Sequence, residues 1–324
     1  VHQAVCVLTE EPGAKSMQRL SGKKTLLLSV DLDMWYHCRW ATGGPKSMWH
    51  TTESAIHALY GDAGPARINK DLTELADRIL ELLRSFNFTA TFFVLGEIAR
   101  CYPNVIKRII SEGHEIASHG MHHEDASRFD DARLRASVGD SKKILEDISG
   151  QLVQGFRYPN LVFTKRELAA LVDHGFRYDS STCFSRRMFG KFGVNDRMIQ
   201  NPYHPDIDRP FRQGESEIWE FPIPVFPVLR LPAGSGIATR LMGVFWSKFA
   251  LNAALRTGDT LYYFHPFDLH HVEGLGRTSL NAYFFLQNAG APFERQLTRL
   301  LRYYAKRVNV MCIRDWLRDR ERSA

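Results

Sequence analysis

The sequence has few of the features that mark a disulfide scaffold, a cysteine metal ribbon or a membrane span. Only five of its 324 residues are cysteines (Cys6, Cys38, Cys101, Cys183 and Cys312), and no two are spaced as Cys-x-x-Cys. An odd, dispersed set reads as ordinary thiols in a reducing compartment and argues against a cysteine zinc site. Long apolar runs are missing too. The longest stretch without Asp, Glu, Lys or Arg is 278–293, 16 residues that include two Asn, Gln and Pro, which is too short and too polar for a span. Residues 1–10 lack a basic run ahead of an apolar one, so no secretory signal is expected and the location expected is cytoplasmic. No repeat of fixed period occurs, which excludes a solenoid. With 44% hydrophobic and 24% charged residues, the chain also falls outside the disordered and collagen-like classes. The net charge of +6 gathers in 15–24, 186–212 and the last 30 residues without a nucleic-acid-binding motif. A solvated basic face is therefore expected, with no nucleic-acid partner.

What the sequence does have is alternation. Residues 25–31 (TLLLSVD) form a short apolar run of the kind a strand buried on both faces shows. A long segment rich in Gly, Pro and Trp follows over 34–66, and from Asp71 the apolar stripe Leu72, Leu75, Ala76, Ile79, Leu82, Leu83 and Phe86 reads as helix. Strand and helix signals then repeat: strands over 89–95, 114–118, 153–157, 176–181, 218–223, 260–265 and 308–313. Helices are expected over 103–112, 130–149, 241–255 and 294–306, with another opening at Thr164. Such units imply a parallel sheet with crossover helices, and seven or eight of them favour closure into a barrel. The expected organisation is α/β, one domain over 25–324 behind an N-terminal extension over 1–24.

Polar residues fall at one end of these strands. Asp31 and Asp33 end the first, His119 and His123 follow the third, Arg157 ends the fourth, and His265 ends the seventh. In (β/α) barrels the reaction site is built at that end. Each residue alone is weak evidence, since Asp-x-Asp and His-x-x-x-His are common; their shared position is not. One Asp and two His suit a divalent ion such as Zn²⁺ with open positions for water and substrate. Asp31 and Asp33 point to the same side of an extended strand, so one can bind metal while the other acts as a base. A histidine on the opposite wall can protonate a leaving group. The set fits metal-assisted hydrolysis of an amide or ester.

These residues resemble a known family. The stretches Ser29-Val-Asp-Leu-Asp33, Thr91-Phe-Phe-Val-Leu-Gly96, Gly113-His-Glu-Ile-Ala-Ser-His-Gly-Met-His-His123, Gly155-Phe-Arg-Tyr-Pro159 and Tyr263-Phe-His-Pro266 are similar to the motifs of the polysaccharide deacetylases, carbohydrate esterase family four, in the family's order. The segments Tyr178-Asp-Ser-Ser181 and Glu220-Phe-Pro222 look like those of its spaced Asp-x-Asp subgroup. The resemblance implies an irregular (β/α) barrel of about seven parallel strands. It also implies a hydrolase that removes an N-acyl group, in most cases acetyl, from an amino sugar of a surface polysaccharide, peptidoglycan or glycan precursor. Asp33, His119 and His123 correspond to the metal ligands, with Zn²⁺ as the expected ion. Asp31 corresponds to the catalytic base, His265 to the general acid and Arg157 to the arginine that positions the base.

The chain departs from the family at Asp31-Leu-Asp33-Met34, where many members read Asp-Asp-Gly, and at Asn160, where an aromatic is usual. The same subgroup resembles cyclic-imide and allantoin-type amidases, which stands as the alternative activity. A non-haem Fe(II) oxygenase shares the two-His, one-carboxylate set, and a glycan-binding pseudoenzyme shares the fold. The order Asp…His-x₃-His on strand–helix repeats argues against the first, and the complete residue set against the second. His122 competes with His123 as a ligand, His114 reads as a strand-edge histidine, and His270 and His271 as loop residues. Trp35, Tyr36, Trp40 and Trp49 form either a sugar-stacking wall or pins for the long loop. Asp179 and Glu220 are the candidates, from strand ends, for the carboxylate that orients His265. The expected partner is an acylated amino sugar or glycan, and a homo-oligomer is compatible with the sequence.

Overall fold

The computed structural model describes residues 22–37, 62, 64–185, 197–271 and 286–323. Strand β1 (Thr25–Leu32) is buried along its whole length. Helix α1 (Gly64–Phe86), strand β2 (Thr91–Val94), helices α2 (Gly96–Cys101) and α3 (Pro103–Ser111) and strand β3 (Glu115–Ser118) follow. The alternation continues through α4 (Asp131–Ser149), β4 (Gly155–Phe156), α5 (Lys165–Asp173), β5 (Tyr178–Asp179) and β6 (Trp219–Glu220). An antiparallel pair, β7 (Val225–Phe226) and β8 (Leu231–Pro232), leads into α6 (Gly236–Thr257), β9 (Thr260–Phe264), α7 (Ala291–Tyr304), β10 (Asn309–Met311) and α8 (Ile313–Ser323). The helix boundaries have local causes. Asp130 accepts the Arg133 N–H at the start of α4 and Gly150, at φ 65°, ends it. Thr164 caps α5 in the same way.

Eight strands pair in parallel around seven positions. β9 lies along one edge of β1. The other edge is shared: β10 pairs with Thr25–Leu27 and β2 with Ser29–Leu32, and from β2 the order runs through β3, β4 and β5 to β6. Between β6 and β9 the wall is completed by single bonds. Ala233 N–H donates to Pro224 O at 3.1 Å and Tyr263 N–H to Gly234 O at 2.9 Å, while Ile223 N–H, donating to Thr182 O at 2.9 Å, prolongs the β5–β6 pairing. The expected irregular barrel of parallel strands is the fold observed.

The side-chain period of two divides the core. Leu26, Leu28, Val30 and Leu32 of β1 point outward to the helices, whereas Leu27 points inward with Phe93, Ala117, Tyr178, Phe221, Leu261 and Met311. Continuing the inward rows along their strands leads to Asp31, His119 and His265.

Three expectations change. Strands β4, β5 and β6 have two residues each, shorter than the apolar runs that contain them. The last strand stops at Met311, because the Cys312 and Ile313 N–H groups donate to the hydroxyls of Thr89 and Thr91. The chain then forms α8, whose Ile313, Trp316 and Leu317 close the inner cluster at helical spacing. Helix α6 begins five residues earlier than expected and is interrupted at Gly243, at φ 83° and ψ 165°. Of the loop 34–66, residues 38–61 and 63 lie outside the described residues, as do residues 1–21 of the extension.

Gly155 faces the barrel interior, and a Cβ there would overlap the ring of buried Tyr178, whose hydroxyl donates to Glu115 Oε1 at 2.9 Å. Gly155→Ala is expected to cost about 2–3 kcal/mol in denaturant unfolding, the scale of overpacking a closed core. An unchanged midpoint would contradict this packing.

Candidate active site

Asp31 and Asp33 leave β1 on its inner side, and a turn in which Asp33 N–H donates to Asp31 O at 2.9 Å bends the chain between them. His119 follows β3 on the inward row of Ala117. Gly120, at φ 83°, then makes the reversal that carries His123 back over the barrel. The carbonyls of Gly120 and Met121 are held by the Gly96 and Glu97 N–H groups at the start of α2, at 2.9 and 3.1 Å.

Asp33, His119 and His123 converge. Their ligand atoms all lie within 4.8 Å of one another. His123 Nε2 is 3.2 Å and His119 Nε2 4.0 Å from Asp33 Oδ2. Asp33 is fully buried, yet among the described residues no well-directed donor reaches either of its oxygens. His119 donates Nδ1–H to Arg157 O at 2.7 Å, which leaves the Nε2 lone pair facing Asp33. Burial pushes the His119 pKa down to about 4, so the ring is neutral at neutral pH. Burial alone would raise the Asp33 pKa, but the nearby imidazoles, His265 foremost, bring it down to about 2. An ionised carboxylate without a well-directed donor, beside two imidazoles of which His119 is held neutral by burial, is a donor set that fits a divalent cation such as Zn²⁺.

Asp31 is tied to Arg157, whose Nη1 donates to Asp31 Oδ1 and, at 3.2 Å, to Ser29 Oγ. The guanidinium is fully buried and also donates to Ser180 O at 2.9 Å and Ser180 Oγ at 2.7 Å. Across the mouth, His265 Nε2 lies 3.9 Å from Asp31 Oδ2. The His265 ring stacks on Phe267 with centroids 4.4 Å apart.

The carboxylate beside His265 is neither Asp179 nor Glu220. Those two are opposite each other in the β5–β6 register, on the rows opposite to the inward Tyr178 and Phe221. Asp179 accepts from Ser181, and Glu220 Oε1 accepts from Thr182 N–H and Oγ1. Burial, with Glu220's charge added, raises the Asp179 pKa well above the usual range. The partner of His265 is Asp268, whose Oδ2 accepts the His265 backbone N–H at 2.8 Å and faces Nδ1 at 3.4 Å. Arg240 of α6 pairs with Asp268 at 2.7 Å, both side chains fully buried. Burial alone would lower the His265 pKa, but Asp33, Asp268 and Asp31 together raise it. Asp268 had a local signal, an acid three residues after a turn-opening residue; Arg240, 28 residues away, had none.

His122 is not in the trio: its Nδ1 lies 3.0 Å from Glu97 Oε2. His114 accepts the Ala90 N–H at 3.2 Å, as a strand-edge histidine does. His270 lies 3.8 Å from Asp71. His37, which the sequence reading passed over, is buried 3.6 Å from Glu97 and accepts the Met34 N–H at 2.8 Å. Trp35 and Tyr36 are 1% and 5% exposed and pack in the core, so these two pin the chain after β1 instead of forming a wall. Trp40 and Trp49 lie outside the described residues.

The chain is similar to known proteins in sequence and in fold. Residues 50–178 match the family model described as polysaccharide deacetylase. Over this segment the chain is similar to the polysaccharide deacetylases. A peptidoglycan-N-acetylglucosamine deacetylase of Bacillus cereus is 33% identical over 119 residues, 37% of this chain and 41% of the relative. A chitooligosaccharide deacetylase of Bradyrhizobium is 33% identical over 98 residues, 30% of this chain and 45% of the relative. The matches thus span less than half the length of these curated relatives. In fold, the chain is similar to a candidate polysaccharide deacetylase from Mycobacterium smegmatis, with TM-score 0.63 and 18% identity over 94% of this chain and 92% of that one. It is also similar to Puue allantoinase, with TM-score 0.59 and 16% identity over 91% and 90%. No described helix is long and apolar enough to cross a membrane.

Zinc titration by calorimetry tests the trio. The chain should bind one ion, and His119→Ala and His123→Ala should each abolish binding. Full occupancy in both variants would remove the site.

Proposed function

We propose that this protein hydrolyses the N-acyl group, in the simplest case acetyl, of an amino sugar in a surface polysaccharide, peptidoglycan or glycan precursor. One divalent ion, Zn²⁺ by preference, would be held by Asp33, His119 and His123. The observation that carries the proposal is the convergence, at one mouth, of an orphaned carboxylate with two imidazoles, a second carboxylate locked by an arginine, and a histidine facing that carboxylate. The relatives named as deacetylases of peptidoglycan and chitooligosaccharides support the choice of substrate class. The allantoinase likeness is one of fold.

When bound, the ion supplies a Lewis acid that polarises the amide carbonyl and acidifies water. Asp31, held in orientation by Arg157, takes the proton from the attacking water. His265 then gives a proton to the departing nitrogen, releasing acetate and a free amine. Asp268 holds the His265 ring through Nδ1, so that Nε2 faces the substrate side, and its charge favours the protonated acid.

The zinc-loaded protein, incubated with N-acetylglucosamine oligomers and separately with allantoin, is read by mass spectrometry. Deacetylation makes a sugar lighter by an acetyl exchanged for hydrogen; ring opening makes allantoin heavier by one water. The second result without the first would replace the proposal by the amidase reading. Asp31→Asn should lower kcat at least about a hundredfold with zinc affinity kept.

The pH–rate profile has a worked sign. The acid works only while His265 is protonated, so the alkaline limb follows the pKa of His265, which Asp268 helps to raise. Asp268→Asn removes one of the charges that raise it, so that limb should move to lower pH. A limb that stays in place or moves to higher pH would dissociate Asp268 from the acid.

A further inference from the structure

The large apolar side chains left exposed are concentrated in one part of the chain. Among the described residues nine are exposed, and six of them, Val228, Leu229, Leu241, Met242, Phe245 and Phe249, fall within residues 228–249. Phe245 is 85% and Val228 76% exposed. The hairpin and the helix form one surface. Phe226 of β7 packs on Trp246 and Phe249 of α6 with ring centroids 5.4 and 5.1 Å apart, and Trp246 Nε1–H donates to Pro232 O at 3.1 Å. The tip of the β7–β8 turn, Val228-Leu229, therefore stands beside the outer face of α6. Helix α6 is apolar on both sides: Val244, Ala250, Leu251 and Ala254 face the core while Phe245 and Phe249 face out. In water a helix of that pattern calls for a second apolar medium.

Charge selects the medium. Residues 221–258 contain no Asp or Glu and four basic residues, Arg230, Arg240, Lys248 and Arg256. Arg240 is turned inward to Asp268; the other three reach the surface at least in part. A second copy docking by the same face would bring these like charges together. An apolar protrusion carrying aromatic rings, with basic and no acidic residues in the segment that forms it, suits the headgroup layer of an anionic bilayer instead.

We propose that this face seats the protein on an anionic phospholipid membrane, Val228, Leu229, Phe245 and Phe249 entering the interface and Arg230 and Lys248 meeting the headgroups. The inference is independent of the proposed hydrolysis, and so is its readout. The full chain is sedimented with phosphatidylcholine vesicles and with vesicles containing phosphatidylglycerol, at low and high salt. Binding to the anionic vesicles, weakened by salt, is expected. Phe245→Ser with Phe249→Ser, and separately Arg230→Glu with Lys248→Glu, should each reduce it about tenfold or more. Phe245→Ser alone, at a side chain 85% exposed, should weaken binding and leave the melting temperature unchanged. Failure of the unaltered chain to bind anionic vesicles would overturn the proposal, as would binding indifferent to both pairs. A lower melting temperature in Phe245→Ser would show that the chain itself covers the face. A doubled mass in solution that the serine pair abolishes, without vesicle binding, would assign the face to a second copy.

Discussion

The mouth of the barrel depends on how one fully buried guanidinium, that of Arg157, is satisfied. Taking such a charge out of water costs on the order of several kcal/mol unless partners surround it. Its partners come from across the wall: Asp31 and Ser29 of β1, and Ser180 just beyond β5. The ring of Phe93 in β2 lies 4.1 Å from the guanidinium carbon and that of Tyr263 in β9 at 5.0 Å. Arg157 itself follows β4, so one side chain ties five strands together. Its carbonyl also sets the tautomer of His119. Base orientation and ligand orientation thus hang on the same residue, and removing it would leave Asp31 as an uncompensated buried charge.

The site was largely legible because a strand has a period of two. Asp31 continues the inward row of Leu27 by that rule, Asp33 stays on the same side after a tight turn, and His119, Arg157 and His265 continue inward rows whose lower members are Ala117, Gly155 and Tyr263. The same rule, applied to β5 and β6, explains the misplaced carboxylates. Once Tyr178 and Phe221 point inward, Asp179 and Glu220 belong to the other face. Deciding which row is inward needed the register between strands, which a buried two-residue strand does not announce. Asp268 escaped both periods because it lies in a 3₁₀ turn beyond the strand, and its one signal was its place three residues after the turn-opening His265. Arg240 comes from a helix whose early start and break at Gly243 blur its periodicity.

The family match and the geometry cover different parts of the site. The matched segment, residues 50–178, contains His119, His123 and Arg157 but neither Asp31, Asp33 nor His265. Those three reach the same mouth because β9 and β2 flank β1 on its two edges. Half of the constellation is therefore assembled by topology outside the region of clearest similarity. The same barrel is shared with an allantoinase, so fold alone does not select a reaction. What bears on the reaction is which side chains the inward rows present at the mouth, and at what charge.

Those charges set Asp33 apart from its neighbours. Three buried carboxylates, Asp31, Asp33 and Asp268, are matched by two guanidinium groups. Arg157 pairs with Asp31 and Arg240 with Asp268, which leaves Asp33 facing imidazoles alone. His119 is neutral at neutral pH, so it offers a lone pair but no charge. Asp33 can then be balanced by a proton on His265 or by a cation beside it, and the two compete. Asp33 is foremost among the charges that raise the His265 pKa; a cation at Asp33 cancels that influence, and the proton must then be retained by other means. Asp268 is the group placed to do so. Burial would push its own pKa up, but Arg240 foremost holds it ionised, and it contacts His265 through both backbone and ring. The chain from Arg240 through Asp268 to His265 therefore matters most when the acid must stay protonated beside a filled cation site.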